Sequence, residues 1–407
     1  MNDKSQNFFL HADGDSFFVA CELVEQPEYK GLPVVVGEDR GIAVAMSHEA
    51  KKIGVTRGMP VFRIKKDFPK VIILPHHFDL YQRISKSVYE ILLSYLEEVE
   101  QYSIDECFAV VKLSDIKFAG SAKKLLGDIK DDIQNKLGVT FSMGLARTKA
   151  LAKTASKLEK PNGLVLLMNS GDEENALRKT PIEDVWGIGR GTAPDLLRSG
   201  IKTAYDFIKY PSEKIEKYFS EPLYILQKEL SGESYNYVDS NPDPRDQKSI
   251  QSTSTFKPSS PDPEIIFAEL SANVEQACSH ARDLLLMTNS VSFFVKNTKF
   301  VHHTADCHLP LYTTNPSTIL STIEPLFSKI LIDGELIRST GITLRNLRRS
   351  EDVPQDLFGT QEKADSKNII EVVSDNIRQK FGHNSLKRAS SLRGSGRQRG
   401  NSFPGTY

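Results

Sequence analysis

Cysteine is sparse: Cys21, Cys107, Cys278 and Cys307 are the four in 407 residues, and no two stand in a CxxC spacing. Neither a disulfide framework nor a zinc site is indicated, and the thiols read as small apolar residues. Long apolar runs are missing too. The longest strings, residues 32–36 and 164–168, fall far short of the ~20 residues of a membrane-spanning helix, so no membrane partner is expected. Residues 1–6 are polar and carry no secretory signal, which makes a cytoplasmic location the expectation. Charge of one sign is also lacking: 52 Lys and Arg against 53 Asp and Glu leave a net −1, so any polyanion site must be local. With 39% hydrophobic and 26% charged residues, wholesale disorder, collagen-like repeats and coiled coil are excluded. A chain of 407 residues predicts two to four domains.

What is present is an alternation of strands and helices. Residues 8–12 read as a short apolar strand running into a helix over 16–24, with Asp13 at the junction. Residues 32–37 and 41–45 are β-branched strand segments, and a helix opens at Ser47 and closes at Gly54. The spacing predicts helices over 81–96, 123–137 and 148–158, a hairpin over 99–113 and a strand over 139–144. This pattern indicates an α/β or α+β sheet domain with helices on one side. From about residue 170 to 231 nearly everything reads as helical. Pro242 and Pro244 then mark a linker, and a βαββαβ-like unit follows from Lys248. The end of the chain is basic: from Ser385 onward there are five Lys or Arg and no acid, and residues 393–407 read as a flexible tail that is either a nucleic-acid tether or a solvated terminus.

Carboxylates cluster beside apolar strands in two places, Asp13 with Asp15 and Asp105 with Glu106. If the two strands are neighbours in one sheet, the like charges converge, and hard divalent cations relieve their repulsion through oxygen ligands. Two-metal phosphoryl or nucleotidyl transfer needs such a cluster. Spacing alone leaves each pair open to a plainer reading as a turn or a helix cap.

Four strings taken together narrow the choice: Asp13 to Glu22 (DGDSFFVACE), Tyr102 to Glu106 (YSIDE), Ser47 to Val55 (SHEAKKIGV) with Gly58-Met59-Pro60, and Lys157 to Gly163 (KLEKPNG). In order and spacing they resemble the Y-family, DinB/UmuC-like translesion DNA polymerases over about residues 7–350. The resemblance implies an α+β multidomain right-hand polymerase. Its parts would be a palm (1–24 and 80–170), small fingers (25–79), a helical thumb with a helix-hairpin-helix (171–234) and a linker (235–246). A βαββαβ little finger (247–346) and a C-terminal tail (347–407) would follow. Asp13, Asp105 and Glu106 align with the catalytic carboxylates, and Gly14 offers a backbone carbonyl, together holding two Mg²⁺ ions. Phe18 stands at the steric-gate position that rejects a 2′-hydroxyl, and the Phe17 amide, His48, Lys51 and Lys160 align with triphosphate ligands. Two residues depart from the common pattern: His48 replaces a tyrosine, and Lys51 an arginine whose bidentate fork lysine cannot make. The subfamily, DinB-like or UmuC-like, stays open. Asp15 reads as stabilising the N-terminus of the following helix.

Further along, Gly187-Ile188-Gly189 looks like a hairpin whose amides approach DNA phosphates, with a tight helix-helix turn as the plainer reading and Trp186 as core. In the little finger Lys248, Lys257, Lys296, Lys299 and Arg345 are the candidate DNA contacts. Gln355, Leu357 and Phe358 resemble the short peptide that binds a bacterial sliding clamp, one residue short of the usual spacing. The expected protein is a monomeric, low-fidelity, lesion-bypassing DNA polymerase with primer-template DNA, dNTP and the clamp as partners. A non-catalytic DNA- and clamp-binding scaffold and a palm-fold nucleotide cyclase are the alternatives.

Overall fold

The computed structural model describes residues 7–38, 41–353, 360–382 and 385–392, with side chains from residue 370 onward in the last helix. Gln355, Leu357 and Phe358 therefore lie outside the described residues. Two compact units divide the chain, Met1–Asn241 and Pro242–Tyr407. The strands are β1 (Phe8–Gly14), β2 (Val34–Val36), β3 (Ala45–Met46), β4 (Ile72–Leu74), β5 (Val99–Gln101), β6 (Glu106–Val111), β7 (Phe141–Ala146), β8 (Leu164–Leu166), β9 (Ser249–Ser260), β10 (Leu286–Asn297), β11 (His302–Thr313) and β12 (Ile337–Arg349).

In the first unit a five-stranded sheet runs β5-β6-β1-β7-β8, with β1 antiparallel to both neighbours. Every residue of β1 is buried, as a central strand with apolar residues at both parities requires. Phe8, Leu10 and Ala12 enter a core closed by the helices Phe78–Tyr95 and Ala122–Leu137. Phe9, one step out of phase, enters a second core under Lys149–Leu158 and the helices of residues 170–230. Helices thus cover both faces, which corrects the one-sided arrangement expected from sequence. His11 and Asp13 share the parity of Phe9 and turn toward Lys149–Leu158. That helix lies directly on β7: a Cβ on Gly144 would stand 2.3 Å from the Ala152 carbonyl oxygen and 2.4 Å from the Ser156 nitrogen.

A small sheet, β3-β2-β4, encloses its own core of Val35, Ala43, Ala50, Val55 and Ile64. On its edge the short helix His48–Lys52 is capped by Ser47, whose hydroxyl accepts from the Ala50 N–H and donates to the Leu32 carbonyl. Residues 170–230 form helices at Ser170–Lys179, Ala193–Arg198, Ala204–Lys209, Ser212–Tyr218 and Glu221–Leu230.

The second unit is an antiparallel sheet, β11-β10-β12-β9, in βαββαβ order. Its core side carries Ile250, Val291, Phe293, Val295, Ile342 and Leu344, covered by the helices Pro263–Asp283 and Pro316–Ile330. The last helix, Thr360–Phe381, begins nine residues before the expected 369, because its first turns are polar and carry no apolar period. Its inner face is held by ions rather than by apolar packing. Asp375 meets Arg282 at 2.7 Å, Arg378 meets Glu275 at 2.8 Å, and Glu371 pairs with Arg388.

Candidate active site

The strand register decides the site. Asp13 stands opposite Glu106 across the β1–β6 ladder, so the two carboxylates emerge side by side on one face. One donor atom each from His11, Asp13 and Glu106 falls within a 4.8 Å cluster. Asp105 occupies the turn just before β6, where its carbonyl accepts from the Gly14 N–H at 2.9 Å and its carboxylate accepts from the Ser103 hydroxyl at 2.7 Å. It stands beside the cluster rather than in it, yet its charge reaches Asp13. Burial pushes the Asp13 carboxyl up to about 6; the Lys160 ammonium opposes this, and Glu106 and Asp105 add to it.

Two ammonium groups offset this crowding of negative charge. Lys160 forms an ion pair with Asp13, and Lys153 donates to Glu106 Oε2 at 3.0 Å. Lys153 also lies over the Tyr102 ring at 4.7 Å and the Trp186 ring at 5.0 Å. Lys149 donates to Glu100 at 2.7 Å and caps the Phe108 ring at 4.5 Å. Both cations thus sit on aromatic faces. Trp186 itself packs against the second core, edge-on to Tyr102 at 5.7 Å. His11 is fully buried, with Nδ1 2.7 Å from the Ser156 hydroxyl and Nε2 3.7 Å from Glu106. Burial first, and then Lys153, Lys160, Lys157 and Lys149, hold its pKa well below the usual histidine range. Its Nε2 is buried without a hydrogen-bond partner and belongs to the carboxylate cluster. Hard oxygen donors converging around an orphaned buried nitrogen fit a divalent cation. Sequence reasoning missed His11, Lys149 and Lys153. The i, i+4 spacing of Lys149 and Lys153 marks one helix face turned to Glu100 and Glu106, and was the signal available.

Asp15 immediately precedes the Ser16 N-cap of the following helix, and its hydrogen bonds go elsewhere. Its carboxylate accepts from the Ser142 hydroxyl at 2.7 Å and from the Asn162 N–H at 2.7 Å. Phe17 is buried against Phe141, so it offers only its backbone outward. The Phe18 ring stacks on Tyr81, centroids 4.4 Å apart and 12° from parallel, and meets the edge of Phe78 at 5.9 Å. Tyr81 in turn donates to Glu22, which His77 also holds at 3.0 Å. His48 and Lys51 are exposed, one turn apart on the short capped helix. Ile188 is buried in the second core, and Gly187 takes a positive φ of 87° that favours glycine.

In the second unit the helix-free face of the sheet is polar. The register sets Ser290 beside Arg345 and His308, Ser292 beside Thr343 and Asp306, and Lys296 beside Ser339 and His302. On β9, Ser249, Gln251, Thr253, Thr255 and Lys257 share one exposed parity. Arg345 pairs with Asp306 at 3.2 Å. Lys299 lies in the turn after β10, and Lys248 just before β9; both are exposed.

A paired-carboxylate sheet with lysine countercharges, an adjoining helical bundle and a separate βαββαβ unit define a nucleotidyl-transfer enzyme of polymerase architecture. The comparisons give the particular family. Residues 12–157 match the impB/mucB/samB family and residues 247–357 its C-terminal domain. DNA polymerase IV of Desulfatibacillum aliphaticivorans is 30% identical over 389 residues, 95% of this chain and 97% of that protein. DNA polymerase IV of Streptococcus pyogenes serotype M1 is 31% identical, covering 88% of this chain and 98% of that protein. Among solved structures, the Y-family DNA polymerase chimera Dbh-Dpo4(243-245)-Dbh superposes with a TM-score of 0.71 at 23% identity, over 83% of this chain and 98% of that one. The chain belongs to the impB/mucB/samB family of Y-family, DinB-like DNA polymerases. It is a DNA-directed DNA polymerase of the translesion class, and its fold implies use of divalent metal. Neither a non-catalytic scaffold nor a cyclase is favoured by these matches. Among the described residues no helix is long and apolar enough to cross a membrane.

Proposed function

We propose that Asp13, Asp105 and Glu106, with the Gly14 carbonyl, hold two Mg²⁺ ions and that dNTP addition to a primer 3′ end takes place at their edge. The observation that carries this reading is the register that pairs Asp13 with Glu106 on one face. When bound, the ions would activate the primer hydroxyl and neutralise the leaving pyrophosphate. The protein's own residues do the rest. Lys153 fixes the rotamer of Glu106, and Lys160 turns from Asp13 to the triphosphate once Asp13 is otherwise neutralised. The Phe17 amide, His48 and Lys51 supply further anion contacts. Phe18 closes the space under C2′ of the sugar, and its stack on an anchored Tyr81 leaves the ring no route of retreat.

In this reading residues 1–24 and 80–170 are the palm, 25–79 the fingers, 171–234 the thumb and 247–346 the little finger. The Gly187-Ile188-Gly189 turn meets phosphates through its backbone, since the Ile188 side chain is committed to the core. The hydroxyl-rich open face of the second unit, with Lys257, Lys296 and Arg345 on it and Lys248 and Lys299 at its ends, takes primer-template DNA without reading its sequence. Gln355, Leu357 and Phe358 serve a sliding clamp; deleting 355–358 is expected to remove stimulation by the clamp and leave basal extension intact.

The test of the central reading is primer extension on undamaged and abasic templates with Mg²⁺ and four dNTPs. The Asp105→Ala/Glu106→Ala protein should bind DNA normally and extend neither primer. Extension by that variant would remove the carboxylates from the catalytic centre.

A further inference from the structure

The turn that carries Lys160 is held from several sides. Asp15 Oδ2 accepts the Asn162 N–H at 2.7 Å, and Asp15 Oδ1 accepts the Ser142 hydroxyl at 2.7 Å. The same Ser142 oxygen accepts the Gly163 N–H at 3.3 Å. From the adjacent helix, the Lys130 ammonium donates to the carbonyls of Asn162 and Gly163, the latter at 3.0 Å. Asn162 takes a φ of +56°, and a Cβ on Gly163 would lie 2.2 Å from the Glu159 carbonyl oxygen, so the loop has one narrow path. Asp15 is buried, and both its carboxylate oxygens are engaged on this turn. It is absent from the cluster of His11, Asp13 and Glu106.

We propose that Asp15 is a positioning residue for nucleotide binding: with Ser142 and Lys130 it fixes the Lys160–Gly163 turn and so aims the Lys160 ammonium at the mouth of the carboxylate cluster. This role rests on the reading of Lys160 as a triphosphate ligand. Two carboxylates two residues apart, one at the end of β1 and one in the turn after it, then have different tasks, Asp13 toward metal and Asp15 toward the loop that delivers the countercharge.

The experiment measures dNTP affinity for the full-length protein on a dideoxy-terminated primer-template, alongside single-nucleotide kinetics and the Mg²⁺ concentration giving half-maximal rate. Asp15→Asn, Lys160→Ala, Lys130→Ala and the Asp15→Asn/Lys160→Ala pair are compared. Asp15→Asn should weaken dNTP binding about tenfold, the scale of losing hydrogen bonds to one buried carboxylate. Its kcat and half-saturating Mg²⁺ should stay within about twofold of wild type. Lys130→Ala, which perturbs the same turn from the helix side, should show the same split and keeps the test alive if Asp15→Asn folds poorly. In the Lys160→Ala background Asp15→Asn should add nothing. Unchanged dNTP affinity in Asp15→Asn beside a weakened Lys160→Ala overturns the positioning role alone. A higher Mg²⁺ requirement that persists without Lys160 overturns it by making Asp15 a metal ligand. Unchanged affinity in Lys160→Ala removes the triphosphate reading itself, and the positioning role with it.

Discussion

Replacing Asp13 by asparagine should stabilise the metal-free protein at neutral pH while abolishing its response to divalent metal. The carboxyl is raised from 3.8 to about 6, chiefly by burial, with Glu106 and Asp105 adding to it and Lys160 opposing. A carboxyl whose value is higher folded than unfolded binds its proton more tightly in the folded state, so ionisation weakens the fold. The penalty is absent below about pH 4 and complete above about pH 6, the window set by those two values. A gap of about two pH units corresponds to roughly 3 kcal/mol, an upper figure because water entering the site relaxes it. For a domain of this size ~1 kcal/mol moves Tm by about 2–4 °C. The variant should therefore melt up to about 10 °C higher than wild type at pH 8, a gain that vanishes toward pH 4. Trp186 is the single tryptophan and lies in the first unit, so its fluorescence follows that unit's melting without interference from the second. Adding Mg²⁺ at pH 8 should raise the wild-type Tm and leave the variant's unchanged. A variant no more stable than wild type at pH 8, or one equally stabilised at pH 4.5 and pH 8, would refute the argument that burial makes the ionised Asp13 carboxylate costly to the fold.

The remaining predictions concern the gate, the helix–sheet contact, the open face and the C-terminal helix. Phe18→Ala should lower discrimination against ribonucleotides by about tenfold or more in single-nucleotide insertion; unchanged discrimination would remove the gate. Gly144→Ala forces a methyl into the backbone of Lys149–Leu158 and should cost more than ~3 kcal/mol, read as lost Trp186 cooperativity in urea; a cost near zero would mean the helix can lift off β7. Lys257→Ala and Arg345→Ala should each make the slope of log K against log salt shallower by about 1 for DNA binding, whatever the sequence. Asp375→Ala takes the carboxylate from the mostly buried Arg282, while Arg378 keeps Glu275, and should destabilise the docked helix by roughly 3 kcal/mol; a proteolysis pattern matching wild type would show that the helix does not depend on the Asp375–Arg282 pair.

Much of this protein was written locally. The apolar run at residues 8–12, the helical periods and the turn residues located β1, β2, β5, β6 and β7, whereas the three-residue strands β4 and β8 went unread and the expected strand over 41–45 is extended only from Ala45, because runs this short carry no period of their own. The βαββαβ order of the second unit could be read from the chain because each of its elements has a period of its own. The carboxylates, the aromatic pair after them and the KLEKPNG string were legible as a set, since the chemistry needs those side chains whatever surrounds them. Other features were not local. That Asp13 faces Glu106 depends on the register of two strands about ninety residues apart, which no spacing along the chain encodes. The covering of both sheet faces, the neutral His11 against Ser156 and the Lys153 contact with Glu106 follow from where Lys149–Leu158 lands on Gly144. Asp15 illustrates the difference most directly. Its sequence neighbours pointed to the N-terminus of the following helix, but in the fold its hydrogen-bond donors are Ser142 and Asn162, over a hundred residues away. The sequence by itself determined which side chains could do the chemistry, because a residue's identity is local. Tertiary structure decided which of them meet, because burial, register and countercharge are properties of the packed chain.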